Sequence, residues 1–121
     1  MAWYAAHAIM YFKLKGATQE RFTIWENVFL IESEDSDSAW VKAVEWAKRE
    51  EGDSDGSLTV DGQPATLVFA GIRKLITVSH WEQEGKLKHG DEITYSEFQV
   101  SNEESIRELV AGNEVAVEYV E

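Results

Sequence analysis

Trp3-Tyr4-Ala5-Ala6-His7-Ala8-Ile9-Met10-Tyr11-Phe12-Lys13-Leu14-Lys15 is the stretch on which the fold turns. One alternate phase, Tyr4, Ala6, Ala8, Met10, Phe12 and Leu14, is wholly apolar. The other, Trp3, Ala5, His7, Ile9, Tyr11 and Lys13, is amphipathic and aromatic. A period of two with one apolar phase marks a long strand with a core-facing side. Residues 16–20 make a turn, and residues 21–32 read as a second strand, antiparallel to the first if the connection is a hairpin. The second strand offers two phases to its neighbour, Thr23, Trp25, Asn27, Phe29 and Ile31, or Phe22, Ile24, Glu26, Val28 and Leu30. Both are too apolar for a surface washed by solvent, so each face is either covered within the domain or used as a contact.

Further along, Ser36, Asp37 or Ser38 can cap a helix, with acidic residues in its first turn where the helix dipole favours them. Trp40, Ala43, Val44 and Ala47 fall on one stripe, and Gly52 is a natural stop. Asp61-Gly62, between Leu58-Thr59-Val60 and Ala65-Thr66-Leu67, signals a tight hairpin, because a primed turn needs positive φ. Residues 65–78 continue as a long strand. Gly71 and the step Arg73-Lys74 break its alternation, which predicts a bulge that curls the sheet. After a charged loop at 82–91, residues 92–100 read as a strand. Ser101-Asn102-Glu103-Glu104 opens a short helix with Ile106, Leu109 and Val110 inward, and residues 114–120 close the chain as a strand. The expectation is a single α+β domain over residues 1–121. Its order is ββαβββαβ, with a curved, mainly antiparallel sheet of five to six strands packed by two helices.

With 121 residues and 44% hydrophobic composition, the chain is long enough for one core without a staple. There is no cysteine, and the net charge is −12. Residues 26–61 carry eleven acidic and three basic side chains, and residues 91–121 carry nine and one. Phosphate backbones demand clustered Lys and Arg, so nucleic acid and anionic membrane surfaces are excluded as partners. The apolar opening lacks the positive start of a secretory signal and is too short to span a bilayer. The expected location is the cytoplasm.

Glu26-x-Val28-x-x-Ile31, the helix alanines Ala39 and Ala43, Phe69-x-Gly71-Ile72 with Leu75, and Gly90-Asp91-Glu92-Ile93 with Phe98 form a pattern after the opening Trp3-Tyr4. Over roughly residues 3–98 it resembles the bacterial family known as domain of unknown function 4288. The resemblance implies a small α+β domain and supplies no catalytic residue.

Chemistry is hard to find. Glu51-x-Asp53-x-Asp55-Gly56-x-Leu58 mimics half of a calcium loop, but Gly62 stands where a bidentate glutamate belongs and a strand replaces the exit helix. It reads as a solvated loop, and no cofactor or metal is expected. His7, His80 and His89 lack the close spacing of zinc ligands. His7 reads as packed on the aromatic face, and the other two as surface residues. With no cysteine, nucleophile elbow or local Ser–His pair, an enzyme is the less favoured class. The candidate contact face is Trp3, His7, Tyr11 and Trp25. It points to a protein-binding or structural module whose partner is another polypeptide or a second copy in a homodimer. The alternative is an acidic inhibitor or immunity protein that binds a basic toxin such as a nuclease.

Overall fold

The computed structural model describes residues 1–78 and 86–120. The expected His80-Trp81 strand end and the start of the charged loop therefore lie outside the described residues. Element order is β1 (Ala2–Leu14), β2 (Ile24–Ser33), α1 (Ser36–Lys48), β3 (Thr59–Val60), β4 (Gln63–Thr77), β5 (Phe98–Gln99), α2 (Glu103–Val110) and β6 (Glu118–Tyr119). The α+β class and the order ββαβββαβ hold. Among the described residues the six strands divide into an antiparallel sheet ordered β2-β1-β4-β3 and a separate ribbon of β5 and β6.

β1 lies in the middle of the larger sheet. Tyr4, Ala6, Ala8, Met10 and Phe12 are buried on one face, and Ala5 and His7 on the other. It pairs with β2 in unbroken register from Ala2↔Ser33 to Tyr11↔Ile24. The connection between them is pinned by the Gln19 amide, which accepts from Leu14 N and donates to the carbonyls of Phe12 and Arg21. Asp61 (φ 51°) and Gly62 (φ 78°) both sit in the left-handed region, as the β3–β4 turn requires.

On its other side β1 pairs with β4, and the ladder shifts twice, between His7 and Ala8 and between Ile9 and Met10. His7 faces Lys74 while Ala8 faces Ile72, so Arg73 is the extra residue of the first bulge. Ala70 is the extra residue of the second. The expected break in alternation is thus a pair of bulges, which bend the strand and raise its twist.

The N-cap of α1 is Asp35, one residue before the expected caps, and its carboxylate accepts from Ser38 N at 2.8 Å. These hydrogen bonds from the Ser38 end hold the Asp35 carboxyl below its ordinary range. Ala39, Ala43 and Ala47 are fully buried against Tyr4, Ala6, Ile31, Ala8 and Met10. Trp40, expected inside, is 44% exposed. An alanine on each successive turn lets the helix axis lie close to the sheet. An indole on that stripe would hold the helix off, so the helix is rotated to leave Trp40 outside. Ala43→Leu is therefore expected to cost about 1–3 kcal/mol by overpacking, read as a lower urea midpoint.

α2 corrects another expectation. Its cap is Asn102, which accepts from Ser105 N at 2.9 Å, but none of its residues is buried. Ile106, Leu109 and Val110 are all exposed. The expected strands at 92–100 and 114–120 shrink to two residues each, so the ribbon beside α2 has little apolar surface to offer it. Phe98 and Tyr119 meet edge to face across that ribbon, with ring centroids 5.8 Å apart.

Candidate functional site

Residues directly opposite in an antiparallel ladder point to the same face. The β1 register therefore decides which β2 phase joins Trp3, His7 and Tyr11. Trp3 faces Glu32, His7 faces Val28, Ile9 faces Glu26 and Tyr11 faces Ile24. Trp25 faces Met10 instead, on the helix-covered side, where its ring meets Phe12 edge to face at 4.9 Å. The four candidate residues do not form one face. Trp3 and Tyr11 are half-buried, Trp25 is exposed, and His7 is only 2% exposed.

Around His7 the second face is polar and knit together. The Glu26 carboxylate, having no proton to give, accepts from His7 Nδ1 at 2.7 Å. In the neutral ring Nε2 is then the acceptor, and it meets the Thr94 hydroxyl. Arg73 Nε donates to the same Glu26 oxygen at 3.2 Å, and its guanidinium lies 4.3 Å from the Tyr119 ring centroid. Lys74 donates to the Tyr95 carbonyl and lies over the Tyr95 ring. Burial pushes the Glu26 carboxyl up. The hydrogen bonds from His7 and Arg73 and the positive charge of Arg73 outweigh that and leave it below its ordinary range.

The bulge is what places Arg73 here. An extra residue re-aims a side chain that regular alternation would send to the other face, so Arg73 and Lys74 both serve the second face. Thr94, Tyr95 and Tyr119 then cover His7 and its neighbours from the C-terminal part of the chain. Thr94, His7 and Glu26 have the order of a hydroxyl, a base and an orienting carboxylate. With the imidazole sealed, that order fastens the C-terminal segment to the sheet.

Of these residues only His7 was among the candidates. Glu26, Arg73 and Thr94 were missed: Glu26 stood only within the family pattern, Arg73 was marked only by the broken alternation at Arg73-Lys74, and Thr94 carried no signal.

Two carboxylates of the calcium-like loop are taken up by contacts within the chain. Glu51 accepts from Phe69 N at 2.8 Å, and Asp53 accepts from Gly56 N and pairs with Lys15. Lys15 and the Gly56 amide hold the Asp53 carboxyl below its ordinary range. Among the described residues no cluster of three His, Cys, Asp or Glu is placed to hold a metal ion.

Exposed apolar side chains gather elsewhere. Ile24, Trp25, Val28 and Leu30 on β2, and Trp40, Val41 and Trp46 on α1, are all exposed. Between β2 and α1 runs an open groove of about 260 Å³ lined by Leu30, Ile31, Lys42, Trp46 and Arg49 among others. No described helix is long and apolar enough to cross a membrane.

A search of curated proteins and a search of solved structures each return no match. One family model does match, over residues 3–96, under the description "Domain of unknown function (DUF4288)". That span takes in β1 to β4, α1, and all of His7, Glu26, Arg73 and Thr94. The chain therefore belongs to the DUF4288 family, a domain of unknown function.

Proposed function

We propose that this chain is a protein-contact module that works through its exposed strand β2 and the adjoining exposed side chains of α1. The observation that carries the reading is the exposure of Ile24, Trp25, Val28 and Leu30 along one strand, on both of its faces, with Leu30 and Trp46 lining one groove. Aromatic and aliphatic side chains on a rigid element supply much contact area at little cost in rotamer freedom. The acidic surface suits partner selection and on-rate more than affinity. A composition without cysteine fits a reducing cytoplasm, and the family resemblance fits a bacterial host.

A photo-crosslinking residue in place of Trp25 or Trp46 tests this in cells. The expected result is a discrete covalent adduct with a polypeptide, and none from the same probe at Glu104 on α2. Equal labelling from all three positions would end the reading.

A further inference from the structure

We propose that the partner on β2 is a second copy of this chain, paired antiparallel edge to edge about a two-fold axis at Asn27. This inference rests on the contact-module reading and names its partner.

Among the described residues β2 has β1 as its one strand neighbour, so its other side is an edge. Phe12 N donates to Thr23 O at 3.2 Å. With the β1–β2 register, that sets which residues bond inward. The odd-numbered residues of β2 bond to β1. Ile24, Glu26, Val28, Leu30 and Glu32 turn their N–H and C=O groups outward.

Proteins blunt such edges with short strands, prolines, bulges or lysines. The opposite edge, β3, is two residues long. β2 is ten residues long with no proline and no register shift. Its one guard is Lys42, whose Nζ donates to the Glu32 carbonyl at 2.9 Å. The usable edge therefore runs from Ile24 to Leu30.

Charge and that guard choose the register. Centring the axis on Glu26 sets it against itself. Centring on Phe29 opposes Glu26 to Glu32, and centring on Leu30 opposes it to Glu34. Like charges directly opposite are destabilising. Centring on Val28 requires the Glu32 carbonyl that Lys42 already holds, and centring on Trp25 leaves Leu30 unpaired. Centring on Asn27 opposes Ile24 to Leu30, Trp25 to Phe29 and Glu26 to Val28 of the second copy. Every outward group from Ile24 to Leu30 is satisfied, and the Lys42 bond is kept. The axis is perpendicular to the joined sheet, so both α1 helices lie on one face. The two β1 strands are about 14 Å apart at the usual strand spacing.

The chain has no cysteine, so Asn27→Cys places the sole thiol on the proposed axis. In a directly opposed non-hydrogen-bonded pair the Cα atoms lie about 4.5 Å apart, within reach of a disulfide. Mild oxidation is expected to convert N27C to a covalent dimer, while V28C alone stays largely uncoupled and mixed E26C and V28C cross-link to each other. Wild-type protein is expected to sediment as a dimer. Val28→Pro removes one outward donor per copy and leaves the β1 bonds intact, so it is expected to raise the dissociation constant about tenfold or more.

A wild-type monomer at high concentration would overturn the proposal, as would coupling of V28C in place of N27C. Adducts from Trp25 or Trp46 to a different protein, together with a monomer in sedimentation, would overturn this inference and keep the contact-module reading.

Discussion

Met10→Ala is expected to lower the unfolding free energy by about 2–5 kcal/mol, the range for emptying a buried Met site. Met10 is fully buried and is among the largest side chains sealed from solvent. It sits with Ala8 and Ala47, and Phe29, Leu67, Phe69 and Ile72 pack around it. The neighbours that would have to close the cavity are mostly on strands fixed by two ladders, and Ala47 is too small to fill it. Collapse is therefore limited and the cost falls in the upper part of the range. Urea denaturation checks this: the midpoint should drop while the slope stays constant. A loss under 1 kcal/mol would mean that the helix settles onto the sheet.

Glu26→Leu is expected to cost about 2–3 kcal/mol, below the 3–5 kcal/mol of a fully sealed ion pair because the site is partly open. The Glu26 side chain is 23% exposed, that of Arg73 16% and that of His7 3%. Removing the carboxylate takes away the acceptor for both His7 Nδ1 and Arg73 Nε, while both donors stay where the sheet puts them. The pH dependence adds a second readout. The folded Glu26 carboxyl titrates below its ordinary range. Its contribution is thus fully present above the unfolded carboxylate range and is lost as pH falls through the lowered folded value. Unfolding free energy measured from neutral pH into that acid range should fall less steeply in the variant. Identical slopes would place the acid sensitivity on other carboxylates.

The sequence made the larger sheet legible wherever a local rule was strong. The even phase of β1 named its buried side, Asp61-Gly62 named its turn, and Gly71 with Arg73-Lys74 named the irregular part of β4. α1 was legible as a helix but misread in rotation, because Trp40 was weighed by its area. Close packing against the sheet rewarded the three alanines instead. The C-terminal ribbon was overread: alternation at 114–120 is a strand pattern, yet only Glu118–Tyr119 finds a partner strand.

The His7 cluster was invisible for a plainer reason. Its contacts join residues 19, 47 and 87 positions apart. No periodicity or capping rule reaches across such separations, and a register choice between two apolar phases of β2 had to be made first. Glu26 looked like one carboxylate among 23 acidic residues.

Arg73 occupies a position that the ladder does not count. His7↔Lys74 and Ala8↔Ile72 are already matched on either side of it, so losing that one codon would let the strands close up with every remaining pair unchanged. A lineage could therefore gain or shed this guanidinium by a single three-nucleotide slip, at a site where substitution would have to keep the backbone kink. Length variation at this point, more than residue identity, is the trace to look for when descendants of this domain are compared.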